Sequence, residues 1–209
     1  EVDQIKDVIA NRGRVRGAFL SLGESEGCDG IPTEEACSNF FRSMAYFYRA
    51  EGMTAATVRD DWELAIEQLD ESKVALEEYV PAWNLRGAIY LGRSQREKGQ
   101  GWLKEAEDAY VRSLELSPDQ PRVLTLMGVL KRWSGNEAEA REWWGKAVAS
   151  QRPGGRDAFL YLAEYSADRW RWWEARALLE RGFSQPGTLN EHKRALALKG
   201  RVERAIRLI

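Results

Sequence analysis

The sequence predicts an all-α protein: a right-handed α-solenoid of about four helix hairpins with terminal capping helices. Small and large apolar residues recur together at intervals near 34 residues, which is typical of repeat proteins made of helix pairs. Glycine and proline separate the predicted helices at the short intervals that connect such pairs. No stretch of useful length alternates between apolar and polar residues as a strand would.

The repeat is clearest in a series of three alanines. Ala106, Ala140 and Ala175 are separated by 34 and 35 residues. Each alanine is followed four residues later by a large apolar residue and three residues after that by a small one: Tyr110 and Ser113, Trp144 and Ala147, Leu179 and Gly182. Small residues are needed where two helices cross closely. The spacing therefore predicts a helix hairpin around each alanine.

The segment that begins at Trp83 resembles the tetratricopeptide repeat (TPR), whose consensus runs W-x2-L-G-x2-Y, then A-x3-F, then P. Arg86 replaces the usual leucine. The other consensus positions are filled by Trp83, Gly87, Tyr90, Ala106, Tyr110 and Pro118. The resemblance implies a non-catalytic scaffold that binds a partner protein or an extended peptide on a concave surface.

This register divides the chain into three regions. An N-terminal helix and a Cys-containing loop are expected over 1–32, four TPR-like repeats over 33–187, and a C-terminal capping helix over 188–209. The boundaries between the repeats follow the turn residues, which places the four repeats at 33–80, 81–120, 121–155 and 156–187.

The first two hairpins are expected to be longer than the later ones. Ala45 and Ala65 are 20 residues apart, whereas the matching residues of the later repeats are 12 apart. The extra residues are shared between the two arms and lengthen both helices. In the first hairpin, Thr33 is predicted to cap the first helix, and Thr54 is predicted to cap a long second helix that ends near Tyr79.

The resemblance also implies which side chains face the concave surface, since the first helix of each hairpin lines it in this family. Arginines beside aromatic residues suit a peptide with acidic or apolar side chains. The family's paired Lys and Asn clamp is not reproduced, which disfavours a receptor for chaperone tails. The predicted contact residues are Arg42, Tyr46, Arg49, Asn84, Arg122, Thr125, Arg132 and Trp133, with Asp157, Leu160 and Glu164 at the equivalent positions of the last repeat.

The composition argues against several other classes of protein. Lys plus Arg number 31 and Asp plus Glu 33, so no overall field attracts nucleic acid. His192 is the single histidine, and with two cysteines it cannot supply a histidine-based or four-cysteine metal site. Phosphate-binding and nucleophile motifs are missing. We therefore expect no enzyme, no cofactor and no membrane-spanning segment in this chain.

Cys28 and Cys37 flank a turn that contains glycine and proline, Asp29 to Thr33. A disulfide between them would close a small loop and stabilise the folded state. Two buried thiols are the alternative. A disulfide would indicate an oxidising compartment such as the periplasm or another part of the cell envelope, and reduced cysteines would indicate the cytoplasm.

A second hypothesis for the function comes from the C-terminal third of the chain. Leu162 to Tyr165, Leu178-Leu179 and Ala195 to Leu208 resemble the periplasmic TPR proteins associated with TRAP transporters. This resemblance implies a cell-envelope lipoprotein that assists transport or binds a small molecule. An enclosed pocket would favour this hypothesis, whereas an open groove would favour peptide binding.

Charge is distributed unevenly along the chain. The predicted helix from Thr54 to Glu78 is acidic, and the terminal helix is basic, with Lys193, Arg194, Lys199, Arg201, Arg204 and Arg207. Two interpretations remain open. The opposite charges could support weak self-association between molecules, or both could be hydrated faces whose attraction salt screens.

Overall fold

The computed structural model describes residues 28–52, 58–97, 100–150, 152–185 and 192–209. In these residues the chain forms nine α-helices and no strand. Contacts within the chain divide it into two units, Glu1–Pro118 and Asp119–Ile209. The prediction of an all-α chain of successive helix hairpins is confirmed. The helix predicted before residue 28 lies outside the described residues.

The first unit contains two helix hairpins. Helix α1 (Glu34–Gly52) packs against α2 (Val58–Glu71), and α3 (Val80–Glu97) packs against α4 (Gln100–Leu116). Helix α3 also contacts α1 and α2, which joins the two hairpins. Large apolar side chains fill the space between these helices, among them Phe40, Phe41, Trp62, Leu85 and Ile89.

The second unit contains two shorter hairpins and a final helix. Helix α5 (Pro121–Trp133) pairs with α6 (Glu137–Ala149), and α7 (Arg156–Ala167) pairs with α8 (Trp172–Ser184). The last helix, α9 (His192–Arg207), contacts α7 and α8. A core formed by α7, α8 and α9 includes Leu160, Ala163, Ala175, Leu179, Leu198 and Val202.

Local sequence signals explain where several helices begin. Thr33 caps α1 as predicted, because its Oγ1 accepts a hydrogen bond from the Ala36 amide at 3.1 Å. Pro121 is the first residue of α5, where its missing N–H costs nothing. Asn136 caps α6 by accepting from the Glu139 amide at 3.2 Å. Thr54, the cap expected for the second helix, lies outside the described residues.

The repeat positions are packing positions in the structure. Ala106, Ala140 and Ala175 are fully buried. Gly128 lies against the Trp144 indole, and a methyl group at Gly128 would overlap it. The same relation holds between Gly87 and Tyr110 in the first unit. Close helix approach therefore depends on a glycine opposite a large ring in two successive hairpins.

The expectation of longer early helices agrees with the structure, clearly for three of the four helices and by one residue for α2, which has 14 residues. Helices α1, α3 and α4 have 19, 18 and 17 residues, whereas α5 to α8 have 12 or 13. The prediction that the second helix continues to Tyr79 is wrong, because α2 ends at Glu71 and turns follow over 72–78. These turns bring Leu76 and Tyr79 into the core, with the Tyr79 ring centroid 5.3 Å from that of Phe40.

The two cysteines lie where the loop before α1 meets that helix. Their Cα atoms are 5.5 Å apart, which lies within the range of Cα separations found in disulfides. Their sulfur atoms are in bonding contact. Cys37 is fully buried against the core of the first unit. No helix in the described part of the chain is long and apolar enough to cross a bilayer.

Candidate functional site

A solvent-open cleft of the second unit lies among helices α5, α7 and α9. It has a volume of about 470 Å³. We call it the arginine cleft, and its lining residues are Arg132, Glu164, Asp168, Arg194, Ala197, Leu198 and Arg201. Helical spacing places them together, since Asp168, the C-cap of α7, is one turn after Glu164, and Arg194 and Arg201 are two turns apart on α9.

Two stacked aromatic rings support the arginines of the cleft. The ring centroids of Trp144 and Tyr161 are 5.1 Å apart, with an angle of 16° between the planes. The Arg132 guanidinium lies 5.0 Å from the Tyr161 centroid and 5.5 Å from that of Trp144. The Arg194 guanidinium lies 5.4 Å from the Tyr161 centroid. Two cations therefore use one buried ring as a platform, which orients both of them.

A single carboxylate links these two arginines. Glu164 Oε2 accepts a hydrogen bond from Arg132 Nη1 at 3.3 Å and another from Arg194 Nη2. The Glu164 side chain is only 14% exposed. Farther along the cleft, Arg201 Nη2 donates to Asp168 Oδ1 at 3.1 Å, and both of these side chains are at least half exposed. The lining thus has three positive and two negative charges, and the excess is positive.

This arrangement can bind an anionic group. A guanidinium forms paired hydrogen bonds with a carboxylate or a phosphate, and it keeps its charge at any physiological pH. In the described residues, no group of three or more His, Cys, Asp and Glu side chains could hold a metal ion. Recognition of charge is the chemistry that the lining residues support.

The predicted contact residues fall in both units, and those of the first unit are mostly engaged internally. Arg49 Nε donates to Asp61 Oδ2 at 2.7 Å, and its guanidinium lies 5.0 Å from the Tyr46 ring centroid. The hydrogen bond to Asp61 raises the pKa of Arg49. Arg42 and Tyr46 are half-buried on the same helix. This cluster is a packed ion pair with an aromatic neighbour.

Two of the predicted contact residues require correction. Asn84 is buried, and its Oδ1 accepts a hydrogen bond from Ser113 Oγ at 2.5 Å across the second hairpin. Thr125 is buried as well, and its hydroxyl donates to the Pro121 carbonyl at 2.7 Å. Both polar groups satisfy partners inside their own hairpin, so neither side chain is available to a partner protein.

In the second unit the structure brings two of the predicted concave-face residues into the arginine cleft. Arg132 lines it, together with Glu164 from the equivalent position of the last repeat. Trp133 is 40% exposed on the neighbouring position of α5 but does not line the cleft. Arg122 is half-buried near the start of the same helix.

Sequence reasoning missed the contribution of α9. The sequence predicts that Arg194 and Arg201 lie on a basic capping helix, but it does not determine that this helix packs beside α7. One signal was present: Arg194, Leu198 and Arg201 follow a spacing of four and three residues, which puts them on one face of a helix. A face that alternates arginine with leucine indicates partial burial of both.

Comparison with known proteins supports the fold. No family model matches the sequence, and no curated protein matches it. The crystal structure of a thermophilic TPR protein from Thermus thermophilus is similar to this chain, with a TM-score of 0.54 and 18% sequence identity. The similarity covers 82% of this chain and 90% of that one. At this identity the likeness establishes the fold alone. The chain therefore has the fold of a TPR protein.

Proposed function

We propose that this chain is a non-catalytic interaction scaffold that binds an acidic peptide segment of a partner protein in the arginine cleft. The observation that supports the proposal is the set of three arginines from two helices that face one solvent-open cleft. Proteins with the TPR fold generally act as scaffolds, and an extended peptide fits a cleft between neighbouring helices.

The chemistry of the cleft favours an acidic ligand over an apolar one. Apolar peptides need exposed hydrophobic surface, and the cleft offers only Ala197 and Leu198 among charged side chains. Arg132 and Arg194 are held over Tyr161, so less rotamer entropy is lost when they bind a carboxylate.

A fluorescein-labelled peptide of six glutamates, titrated at low ionic strength and followed by fluorescence anisotropy, tests the proposal. We expect Arg201→Gln to weaken binding about five- to tenfold, because one of three positive charges is lost. A peptide of six glutamines should not bind.

The matched control is Arg176→Gln on α8. Arg176 and Arg201 are each 50% exposed, and each forms an ion pair with one exposed carboxylate. The two variants therefore change net charge and surface hydration alike, but only Arg201 lines the cleft. Equal weakening by both variants would show that the peptide senses overall charge, and the proposal would then be wrong.

A cell-envelope protein that holds a small molecule is the second candidate, and the close approach of Cys28 and Cys37 favours it. A disulfide at this position would place the chain in an oxidising compartment. The same anisotropy assay separates the candidates. Free glutamate that displaces the labelled peptide at a concentration similar to that of the unlabelled peptide would support the small-molecule role.

A further inference from the structure

Glu164 lies in the arginine cleft between two of its arginines. Its Oε2 accepts hydrogen bonds from arginines on two different helices, Arg132 on α5 and Arg194 on α9. The carboxylate is largely buried, whereas the two arginines are 29% and 39% exposed. The arginines thus reach solvent on one side and the protein's own carboxylate on the other.

We infer that Glu164 is an internal competitor for the cleft: it holds Arg132 and Arg194 in place when no ligand is bound, and an acidic ligand must draw both arginines away from it. This inference rests on the proposed function. The inference adds that Glu164, whose carboxylate repels acidic ligands, sets the affinity and selectivity of the cleft for them.

Geometry supports competition over a purely structural ion pair. Arg132 and Arg194 share the same oxygen of Glu164, whereas a paired contact gives both oxygens of one carboxylate to one guanidinium. A ligand carboxylate could offer each arginine such a paired contact, which is the stronger form of this interaction. The stacked rings of Trp144 and Tyr161 lie under the guanidinium groups.

Electrostatics decides the direction of the effect. A ligand carboxylate bound between the same arginines lies within a few ångströms of the Glu164 carboxylate. Repulsion between two unit charges about 4 Å apart corresponds to about a fivefold change in an equilibrium constant with the dielectric of water, and to a larger change where the protein excludes part of the water. Removing the charge of Glu164 therefore strengthens the binding of an acidic ligand.

The test is Glu164→Gln, with the six-glutamate peptide as the probe. Glutamine keeps the length of the side chain and an acceptor oxygen for the arginines. We expect binding to become about five- to tenfold tighter than in the wild-type protein. Glu180→Gln on α8 is the charge-matched control, because Glu180 pairs with Arg176 away from the cleft. This control should change affinity less than about twofold, since the charge it removes lies outside the cleft.

The outcomes separate the inference from the proposed function. If Glu164→Gln leaves affinity unchanged or weakens it while Arg201→Gln still weakens binding, the inference is overturned and the proposed function stands. If Arg201→Gln has no more effect than Arg176→Gln, the proposed function fails and the inference fails with it.

A measurement on the wild-type protein guards against a variant that does not fold. In a titration with the same peptide, the guanidinium nitrogen resonances of Arg132 and Arg194 should shift together, because both exchange Glu164 for the ligand. A shift confined to Arg201 would show that Arg132 and Arg194 keep their hydrogen bonds to Glu164 when the peptide binds. This result would overturn the inference.

Discussion

At the scale of single residues, two corresponding turns use different residues for the same backbone conformation. Gly135 ends the turn between α5 and α6 with φ of +83°, and Trp170, 35 residues later, ends the turn between α7 and α8 with φ of +63°. Each turn has the same pair of hydrogen bonds, such as Trp170 N–H to Ala167 O and Arg171 N–H to Ser166 O, both 3.0 Å. This is the Schellman motif, which normally has glycine at this position.

Trp170 is therefore strained, and a pair of variants measures the strain. A residue with a Cβ costs about 1 kcal/mol or more in the left-handed region, and glycine avoids this cost. We expect Trp170→Gly to be more stable than Trp170→Ala by about 1 kcal/mol, because both variants remove the indole and differ only at Cβ. Chemical denaturation measures the difference. Equal stability would show that the turn relaxes to another conformation.

The sequence-based predictions were strongest where one residue determines one contact. Thr33 and Ala140 could be assigned because capping and close helix packing admit few residue types. Asn84 and Thr125 could not be placed, since a polar residue on a first helix can face solvent or bond within its hairpin. Which of the two occurs depends on the facing helix, and spacing along one helix does not reveal it.

At the scale of elements, helix ends were harder to predict than helix centres. The acidic, helix-favouring composition of 58–78 predicts one long helix, yet the chain turns after Glu71. Burial of Leu76 and Tyr79 and the hydrogen bond from Asn39 Nδ2 to Ser72 Oγ, 2.9 Å long, outweigh local propensity there. The arginine cleft was missed for a related reason, because it depends on how α9 packs against α7.

The loop before α1 gives a prediction at the same scale. If Cys28 and Cys37 are bonded, the double variant Cys28→Ala/Cys37→Ala should lower the free energy of unfolding by about 2 to 3 kcal/mol, because a short loop is no longer closed in the unfolded chain. Denaturation with and without a thiol reductant measures it. The reductant should lower the stability of the wild-type protein to that of the variant and leave the variant unchanged.

The outcome also bears on the compartment. Wild-type stability that is the same with and without the reductant, after oxidation in air, would show that the cysteines are two buried thiols. The hypothesis that the chain resides in an oxidising compartment would then have no support.

At the scale of the whole molecule, charge is largely neutralised by pairs within each unit. In the acidic first unit, Glu63 pairs with Arg93 and Asp70 with Arg86, at 3.0 and 2.6 Å. In the second unit, two arginines of α9 pair with Glu164 and Asp168. The formal net charge is only -2. Attraction between molecules must therefore come from the charges that remain exposed, such as Lys193 and Arg204 on α9.

We expect this attraction to be weak and confined to low ionic strength. The Debye length falls from about 30 Å at 0.01 M salt to about 8 Å at 0.15 M, so exposed charges on two molecules interact across a useful distance only in dilute salt. Sedimentation should give the mass of one chain, 23.9 kDa, at physiological salt and a larger mean mass in dilute salt. Lys193→Gln with Arg204→Gln should reduce that increase. A single-chain mass at low ionic strength and high protein concentration would exclude association by opposite charge, and a dimer that persists at about 1 M salt would require an apolar contact instead.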